Sequence, residues 1–410
     1  MIGSAASGSA VGLADEIRII GLGLGLTAVG FCDAEPMEST REVLIERREQ
    51  GLNAEMAFTY RNPHRSTDPR ATLPSARSIV VAALRYDTEM SQRPLGESPH
   101  ARVARYATAD HYRELRDALS VIKGHLKGLG HKAVVLADDN AIVDRAVAVK
   151  AGIGWFGKSA NVLLPGMGSW FVLGSVLTSA ELVPFAEVLP DGCGNCTECL
   201  DHCPTGAIVA PGVVDARRCL SWRLQAPGDF PVEFREALGN RIYGCDDCQE
   251  FCPPSRRADR RGIGARVRDA EGSFIGDTGS WVDVSWILAA SDVELLERLG
   301  RWYVPQRDPR YIRRNALVVV GNTAGELVDE QLETLVGSYL DGDDDMLKRH
   351  AVWSVLALGR HSLLSLGTRA SDPVIVGEVA ALGTDWLGRG RLGAGSLGGE
   401  ALGREVGDGV

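Results

Sequence analysis

The sequence predicts an α/β layer domain, then a small cysteine-built module, then a tail of helical repeats, and three observations carry that prediction. Strand-like and helix-like segments alternate from about Leu13 to Ala180, the pattern of a layered α/β domain. Eight of the nine cysteines fall within residues 193–252. Beyond about Trp302, Ile312-Arg313-Arg314-Asn315-Ala316-Leu317 is echoed thirty-five residues later by Leu347-Lys348-Arg349-His350-Ala351-Val352. Two helical units repeating in this way suggest a short HEAT-like solenoid. The expected division is a flexible N-terminus at 1–12, the α/β domain at 13–185, the cysteine module with a basic segment at 186–300 and the helical repeats at 301–384. The Gly-rich tail at 385–410 has no apolar periodicity and is expected to be disordered.

Within the first domain, Ala14 to Leu26 reads as a helix leading into a strand at Thr27 to Cys32. Ser78 to Leu84 is a short apolar run that suits a buried strand, and Tyr112 to Leu129 has the period of a long amphipathic helix. Gly21, Gly23 and Gly25 lack the spacing of a dinucleotide loop and mark a helix end instead. Cys32 sits in an apolar stretch as a small core residue.

The cysteine module begins with Cys193-Gly-Asn-Cys196-Thr-Glu-Cys199-Leu-Asp-His-Cys203-Pro204, followed by Cys219 and by Cys245-Asp-Asp-Cys248-Gln-Glu-Phe-Cys252-Pro253. This is the spacing of ferredoxin-like proteins with two 4Fe-4S clusters, in which three thiolates of a run bind one cluster and the last binds the other. Applied here, Cys193, Cys196, Cys199 and Cys252 form one set, and Cys203, Cys219, Cys245 and Cys248 the other. A zinc site would need neither the third cysteine of the first run nor the Cys-Pro that ends each run. Disulfides would need an oxidising compartment, for which nothing else in the chain argues.

The chain has 410 residues and 45% hydrophobic content, enough for two or three domains. No apolar run is long enough to span a bilayer, and Met1 to Ala10 lacks the basic and apolar regions of a signal peptide. A cytoplasmic protein with no membrane partner is expected. The formal net charge of −10 argues against indiscriminate nucleic-acid binding. Arginines nevertheless crowd after the second cysteine run (Arg256, Arg257, Arg260, Arg261, Arg266 and Arg268) and again at Arg307, Arg310, Arg313 and Arg314. Two such groups beside a redox centre suit an acidic or phosphate-rich partner.

Asp138 to Trp170, together with LPSARSIVVAALRY (Leu73 to Tyr86), CGNCTECLDHCPTGAI and YGCDDCQEFCP, resembles the epoxyqueuosine reductases over about Leu13 to Gly359. The resemblance implies a cobalamin between the α/β and cluster domains besides the two 4Fe-4S clusters, an external electron donor, and tRNA carrying epoxyqueuosine as substrate. Such an enzyme reduces the epoxide to the alkene with loss of water, which takes two electrons and an acid for the departing oxygen.

Asp138 matches the family's proton donor, a role that requires its pKa to rise above the ordinary carboxylate value. The competing reading is an N-cap of a helix beginning near Ala141, with Asp139 or Asn140 as the other candidates. The resemblance further places corrinoid contacts at Val162, Leu173, Ser221, Asp246 and Asp247, and makes Arg145 and Lys158 candidates for corrin amides or RNA phosphate. Gly152, Gly154 and Gly157 suggest close backbone approach in a tight loop. Ala109-Asp110-His111-Tyr112-Arg113 departs from the family's Gly-x-Asp-Tyr-His run and keeps its Tyr, and Met56 to Arg65 is only loosely similar. These departures leave two alternatives: a corrinoid reductase acting on a small molecule, and a cobalamin-free two-cluster electron carrier.

Overall fold

The computed structural model describes residues 5–86, 92–94, 98–182, 189–261, 278–323 and 330–382. Its first part is built on a four-stranded sheet in the order Ala28–Asp33, Ser78–Arg85, Phe171–Thr178, Ala133–Ala137. Each neighbouring pair is antiparallel. Ser78–Arg85 is buried at every position, because helices cover both faces of the sheet. Strand residues point alternately to the two sides, and the sequence divides accordingly. Val80, Ala82 and Leu84 pack with Phe31 under the helices Ala5–Gly23 and His111–Gly128. Ile79, Val81 and Ala83 pack with Cys32 under the helix Asp144–Lys150. Burial pushes the Cys32 thiol up to about 12, as befits an inert core residue.

The first helix begins at Ala5, inside the stretch read as flexible, because alanine-rich sequence favours a helix even without an amphipathic pattern. It ends at Gly23, and Gly25 takes φ +86° as Leu26 N–H turns back to the Gly21 carbonyl at 3.1 Å. The glycines therefore close a helix.

His100–Val103 lies within the stretch read as the α/β domain but leaves that sheet. It pairs in parallel with Arg241–Tyr243 and antiparallel with Trp281–Asp283. Around this small sheet one apolar core runs from Ala101, Leu224 and Tyr243 into Leu317, Val352 and Trp353. The cysteine module thus shares a core with the helical tail.

The tail comprises the helices Arg310–Thr323, Glu330–Asp341, Asp345–Ala357 and Pro373–Leu382, with Asp345–Ala357 packed against the other three. The sequence echo has a structural meaning. Asn315 and His350, its corresponding positions, both turn inward and hold the segment that follows Cys219. Asn315 donates to the Leu224 carbonyl at 2.9 Å, and His350 Nε2 accepts from Phe230 N–H at 3.0 Å.

The second arginine group is largely used inside the protein and does not form the expected free basic face. Arg314 is fully buried and donates to the carbonyls of Ala226, Gly228, Arg223 and Leu224. Arg310 pairs with Asp308 and Asp344, and Arg313 with Asp292. Arg266, Arg268, residues 1–4 and 327–329, and the Gly-rich stretch 385–410 lie outside the described residues. Among the described residues no helix is long and apolar enough to cross a membrane.

Candidate active site

All nine cysteines are free, and the fold brings eight of them near one another. Cys199 faces Cys252, Cys193 and Cys196 closely enough for their charges to raise its pKa, which burial and these neighbours push up to about 11. Cys248 faces Cys219 and Cys203, and Cys245 faces Cys248. Cys199 is also a neighbour of Cys248, so the two sets adjoin. Four thiols in each set are the donors a 4Fe-4S cluster takes. Hydrogen bonds already reach several sulfurs. Ala207 N–H donates to Cys203 Sγ at 3.2 Å, Asn161 Nδ2 to Cys248 Sγ at 3.6 Å, and Ser255 donates to Cys252 from both backbone and hydroxyl.

The Gly-Trp-Phe-Gly-Lys segment forms a hairpin, Trp155–Phe156 paired with Val162–Leu163, that docks on the first cysteine loop. Its close approach explains Gly154, where a Cβ would stand 2.5 Å from the Leu163 carbonyl oxygen. The Lys158 ammonium donates to the carbonyls of Gly194 at 2.6 Å and Cys196 at 2.9 Å. Lys158 therefore clamps the cluster loop, where the sequence offered it to corrin amides or RNA phosphate. Arg145 donates to the Ala160 carbonyl at 3.0 Å and so braces the same hairpin.

Asp138 follows the strand Ala133–Ala137 directly and takes φ 55°, a left-handed conformation that costs a non-glycine residue energy. It is not a helix cap. The helix starts at Asp144, three residues later than predicted, and Asp139 Oδ1 accepts from Ala141 N–H at 2.8 Å to shape the intervening turn. Solvent reaches Asp138, yet the surrounding protein raises its carboxyl pKa. Burial is the main cause and Asp139 adds to it, while Arg116 opposes.

Residues from both parts of the molecule surround Asp138. Tyr112, on the helix His111–Gly128, feels the charges of Asp138 and Asp144, and its phenol is pushed up chiefly by burial. Tyr243, from the cluster side, also feels Asp138. Its hydroxyl donates to the Tyr303 carbonyl at 3.2 Å, and its ring lies 6.2 Å from that of Tyr106. Gln225 bridges the Tyr106 hydroxyl at 3.5 Å and the Ser221 carbonyl at 2.9 Å. Asp110 caps the Tyr112 helix by accepting from Arg113 N–H at 3.0 Å, so the altered neighbours of Tyr112 serve the helix end.

Asp144 was not singled out by the sequence. Its carboxyl is raised well above the usual range by burial and then by Asp138, and its Oδ1 is buried with no hydrogen-bond partner. An acid at a first helical position suits the helix dipole, which is why the pattern alone marks it as structural. Tyr106 carried no sequence signal, and Tyr243 entered only as the first residue of YGCDDCQEFCP, since their place beside each other depends on segments far apart in the chain.

The other predicted contacts divide by what their atoms already do. Asp246 accepts from Arg105 N–H at 2.8 Å and is pushed up to about 6, mainly by burial. Asp247 pairs with Arg241 at 2.5 Å and accepts from the Cys245 thiol at 2.7 Å. Both carboxylates are thus taken within the protein, and their carbonyls accept from Gln249, Glu250 and Phe251, leaving their backbone N–H groups. Val162 and Leu173 belong to the apolar core that also holds Ile142 and Val147. Leu173 is paired with Ala83 in the sheet, so it offers only an apolar surface. Half-buried Ser221 and the orphaned Asp144 oxygen near Asp138 are polar groups that suit the rim of a cofactor.

A layered domain that presents a strained acid to a module of two thiol quartets defines an iron–sulfur oxidoreductase. Residues 192–255 match the family described as 4Fe-4S double cluster binding domain, and residues 66–144 match epoxyqueuosine reductase QueG, DUF1730. The epoxyqueuosine reductase of Bacillus cereus is 31% identical over 343 residues, covering 82% of this chain and 86% of the relative. That of Vibrio cholerae is 32% identical over 84% of this chain and 91% of its own. The chain belongs to the epoxyqueuosine reductase family. Its fold also superposes, with a TM-score of 0.79 and 27% identity over 92% of this chain and 99% of the other, on a crystal structure of epoxyqueuosine reductase with an epoxyqueuosine-modified tRNA-Tyr stem loop. For the enzyme of Streptococcus thermophilus the TM-score is 0.78 at 25% identity, over 90% of this chain and 98% of the other.

Proposed function

We propose that this chain reduces epoxyqueuosine to queuosine in the anticodon loop of tRNA in the cytoplasm, using a cobalamin fed with electrons by two 4Fe-4S clusters. The observation that carries this reading is the position of Asp138. It is a carboxyl of raised pKa held in a strained backbone, facing Tyr112 of the layered domain and Tyr243 of the cluster side. The family and the likeness to an enzyme bound to a modified stem loop supply the substrate.

When bound, a cobalamin supplies a centre that collects electrons singly and delivers a pair to a carbon–oxygen bond. The residues that would hold it are Val162 and Leu173 as an apolar bed, Ser221, and the backbone of Asp246 and Asp247. Asp138 stays protonated more readily than a free aspartate and gives its proton to the departing oxygen. Asp139 places negative charge beside it, which favours that protonated form. The Cys203, Cys219, Cys245 and Cys248 set lies on the substrate side, since Cys248 meets Asn161 and Asp246. The tail helices are read as HEAT-like repeats that brace this set through the segment 223–230.

The test is anaerobic reconstitution of the clusters, addition of cobalamin and dithionite, and nucleoside mass spectrometry of tRNA carrying epoxyqueuosine. Loss of one oxygen is expected. Intact substrate, despite full clusters and bound corrinoid, would overturn the reading in favour of a small-molecule corrinoid reductase.

A further inference from the structure

The four described arginines of the first group differ from those of the second. Arg256, Arg257, Arg260 and Arg261 are exposed, and among the described residues none has an acidic partner. They lie on and just after the helix Pro253–Arg260, which starts from the cluster cysteine Cys252. At 3.6 residues per turn the four fall within an arc of about 140°. The other side of the helix is buried or engaged. Ser255 and Ala258 point inward, and the helix's one acid, Asp259, turns to Arg105 at 3.3 Å and Arg85 at 3.8 Å. With no acid on the outer face, like charges four residues apart repel one another, a pattern the fold itself does not need.

Position gives this face a meaning. At 1.5 Å of rise per residue, the arginines stand about 6 to 14 Å along the axis from Cys252. Cys252 belongs with Cys193, Cys196 and Cys199. The substrate end of the relay is at the other set, beside Asn161 and Asp246. The arginine face therefore borders the set at which electrons enter. It is an isolated cationic patch on a chain of net charge −10, although Asp191 and Asp201 are exposed on the neighbouring cysteine loop. Such a patch attracts an acidic partner that the rest of the surface repels, and so orients it.

We propose that the outer face of the helix Pro253–Arg260, extended by Arg261, docks an acidic, low-potential, one-electron carrier protein that reduces the Cys193, Cys196, Cys199 and Cys252 cluster. The proposal rests on the two-cluster reading above. Each docking oxidises the carrier by one electron and reduces the cluster by one. Two events, with two protons, supply what deoxygenation of one epoxide to an alkene and water takes.

The experiment uses the full chain with reconstituted clusters and, as probe, an acidic flavodoxin reduced to its hydroquinone. Stopped-flow bleaching of the clusters is followed without RNA at several salt concentrations. Charge reversal in the double variant Arg256→Glu/Arg260→Glu should lower the bimolecular rate about tenfold or more at low salt and remove most of its salt dependence. Dithionite-driven turnover on a modified stem loop, and the KM for that RNA, should not change. The neutral pair Arg256→Gln/Arg260→Gln should fall between wild type and the reversed variant. An unchanged flavodoxin rate overturns the proposal. So does a raised KM for RNA under dithionite, which would make this face an RNA contact. Failure of both proteins to turn over with dithionite counts against the function proposed above and leaves the flavodoxin result standing.

Discussion

Two regions of this molecule bury charged or polar groups, and they treat them in opposite ways. In the helical tail, Arg314 is fully buried but donates to four backbone carbonyls and to Asn315 Oδ1, so its lowered pKa, about 10, still leaves it charged. Beside the strand Ala133–Ala137, Asp144 keeps a buried oxygen with no partner, and Asp138 sits in a left-handed conformation with its carboxyl raised. Burial with every hydrogen bond made builds structure. Burial left incomplete, in a strained backbone, holds a group ready for chemistry.

The comparison is broken most directly at its two poles. Asp138→Asn should cut turnover by about 10²- to 10⁴-fold, the range for a lost general acid, while both clusters still assemble and the denaturation midpoint holds or rises. Full activity in this variant would reduce Asp138 to a strained turn residue. Arg314→Leu should do the reverse. It orphans the carbonyls of Ala226 and Gly228, among others, and should destabilise the protein by about 3 kcal/mol or more, read by urea denaturation. Folded Arg314→Leu protein should lose far less turnover than Asp138→Asn, since Arg314 reaches the clusters only through the segment 223–230.

The same contrast explains what was legible in the sequence. The thiol quartets were read from spacing within one stretch, in which each run is a local loop. Asp138 was legible only through the resemblance. By itself the Asp-Asp-Asn run reads as a cap, and the helix start at Asp144 instead of near Ala141 separates the two roles. Arg314 was misread as surface charge, for an arginine's burial depends on carbonyls some ninety residues earlier. His100–Val103 was not read as a strand for a similar reason, as its partners lie far along the chain. Asp144 had a sequence signal that pointed to structure, and only its unpaired oxygen marks it as more.

Acid provides a gentler test of the satisfied region. Burial holds His350 well below the ordinary histidine value, while Nε2 accepts from Phe230 N–H and Nδ1 meets the Met346 carbonyl at 2.7 Å. A folded pKa below the unfolded one means the unfolded chain takes up the proton first. Stability from this group is therefore present above about pH 6.5 and is lost as pH falls toward the folded value, at about 1.4 kcal/mol per unit. Urea denaturation at descending pH should show that slope in the wild type and a flatter one in His350→Gln. Parallel slopes would assign the acid sensitivity to other groups.

The smallest expected effect separates the two clusters. Ser255 is fully buried and donates to Cys252 from its backbone and hydroxyl, and its Oγ accepts from Ser169 N–H at 3.2 Å, tying the cluster to the layered domain. A donor to a ligating sulfur favours the reduced cluster, which carries the more negative charge. Ser255→Ala removes the hydroxyl and keeps the backbone donor, so the potential of the cluster bound by Cys252 should fall modestly while that of the other stays. Two midpoints in a redox titration followed by electron paramagnetic resonance would show this directly. Movement of both would mean that the substitution disturbs the packing of Ser255 against Gly168, where the backbones meet so closely that a Cβ on the glycine would stand 2.5 Å from the Ser255 Cα. Movement of one would show that a single hydroxyl sets the step at which electrons enter the relay.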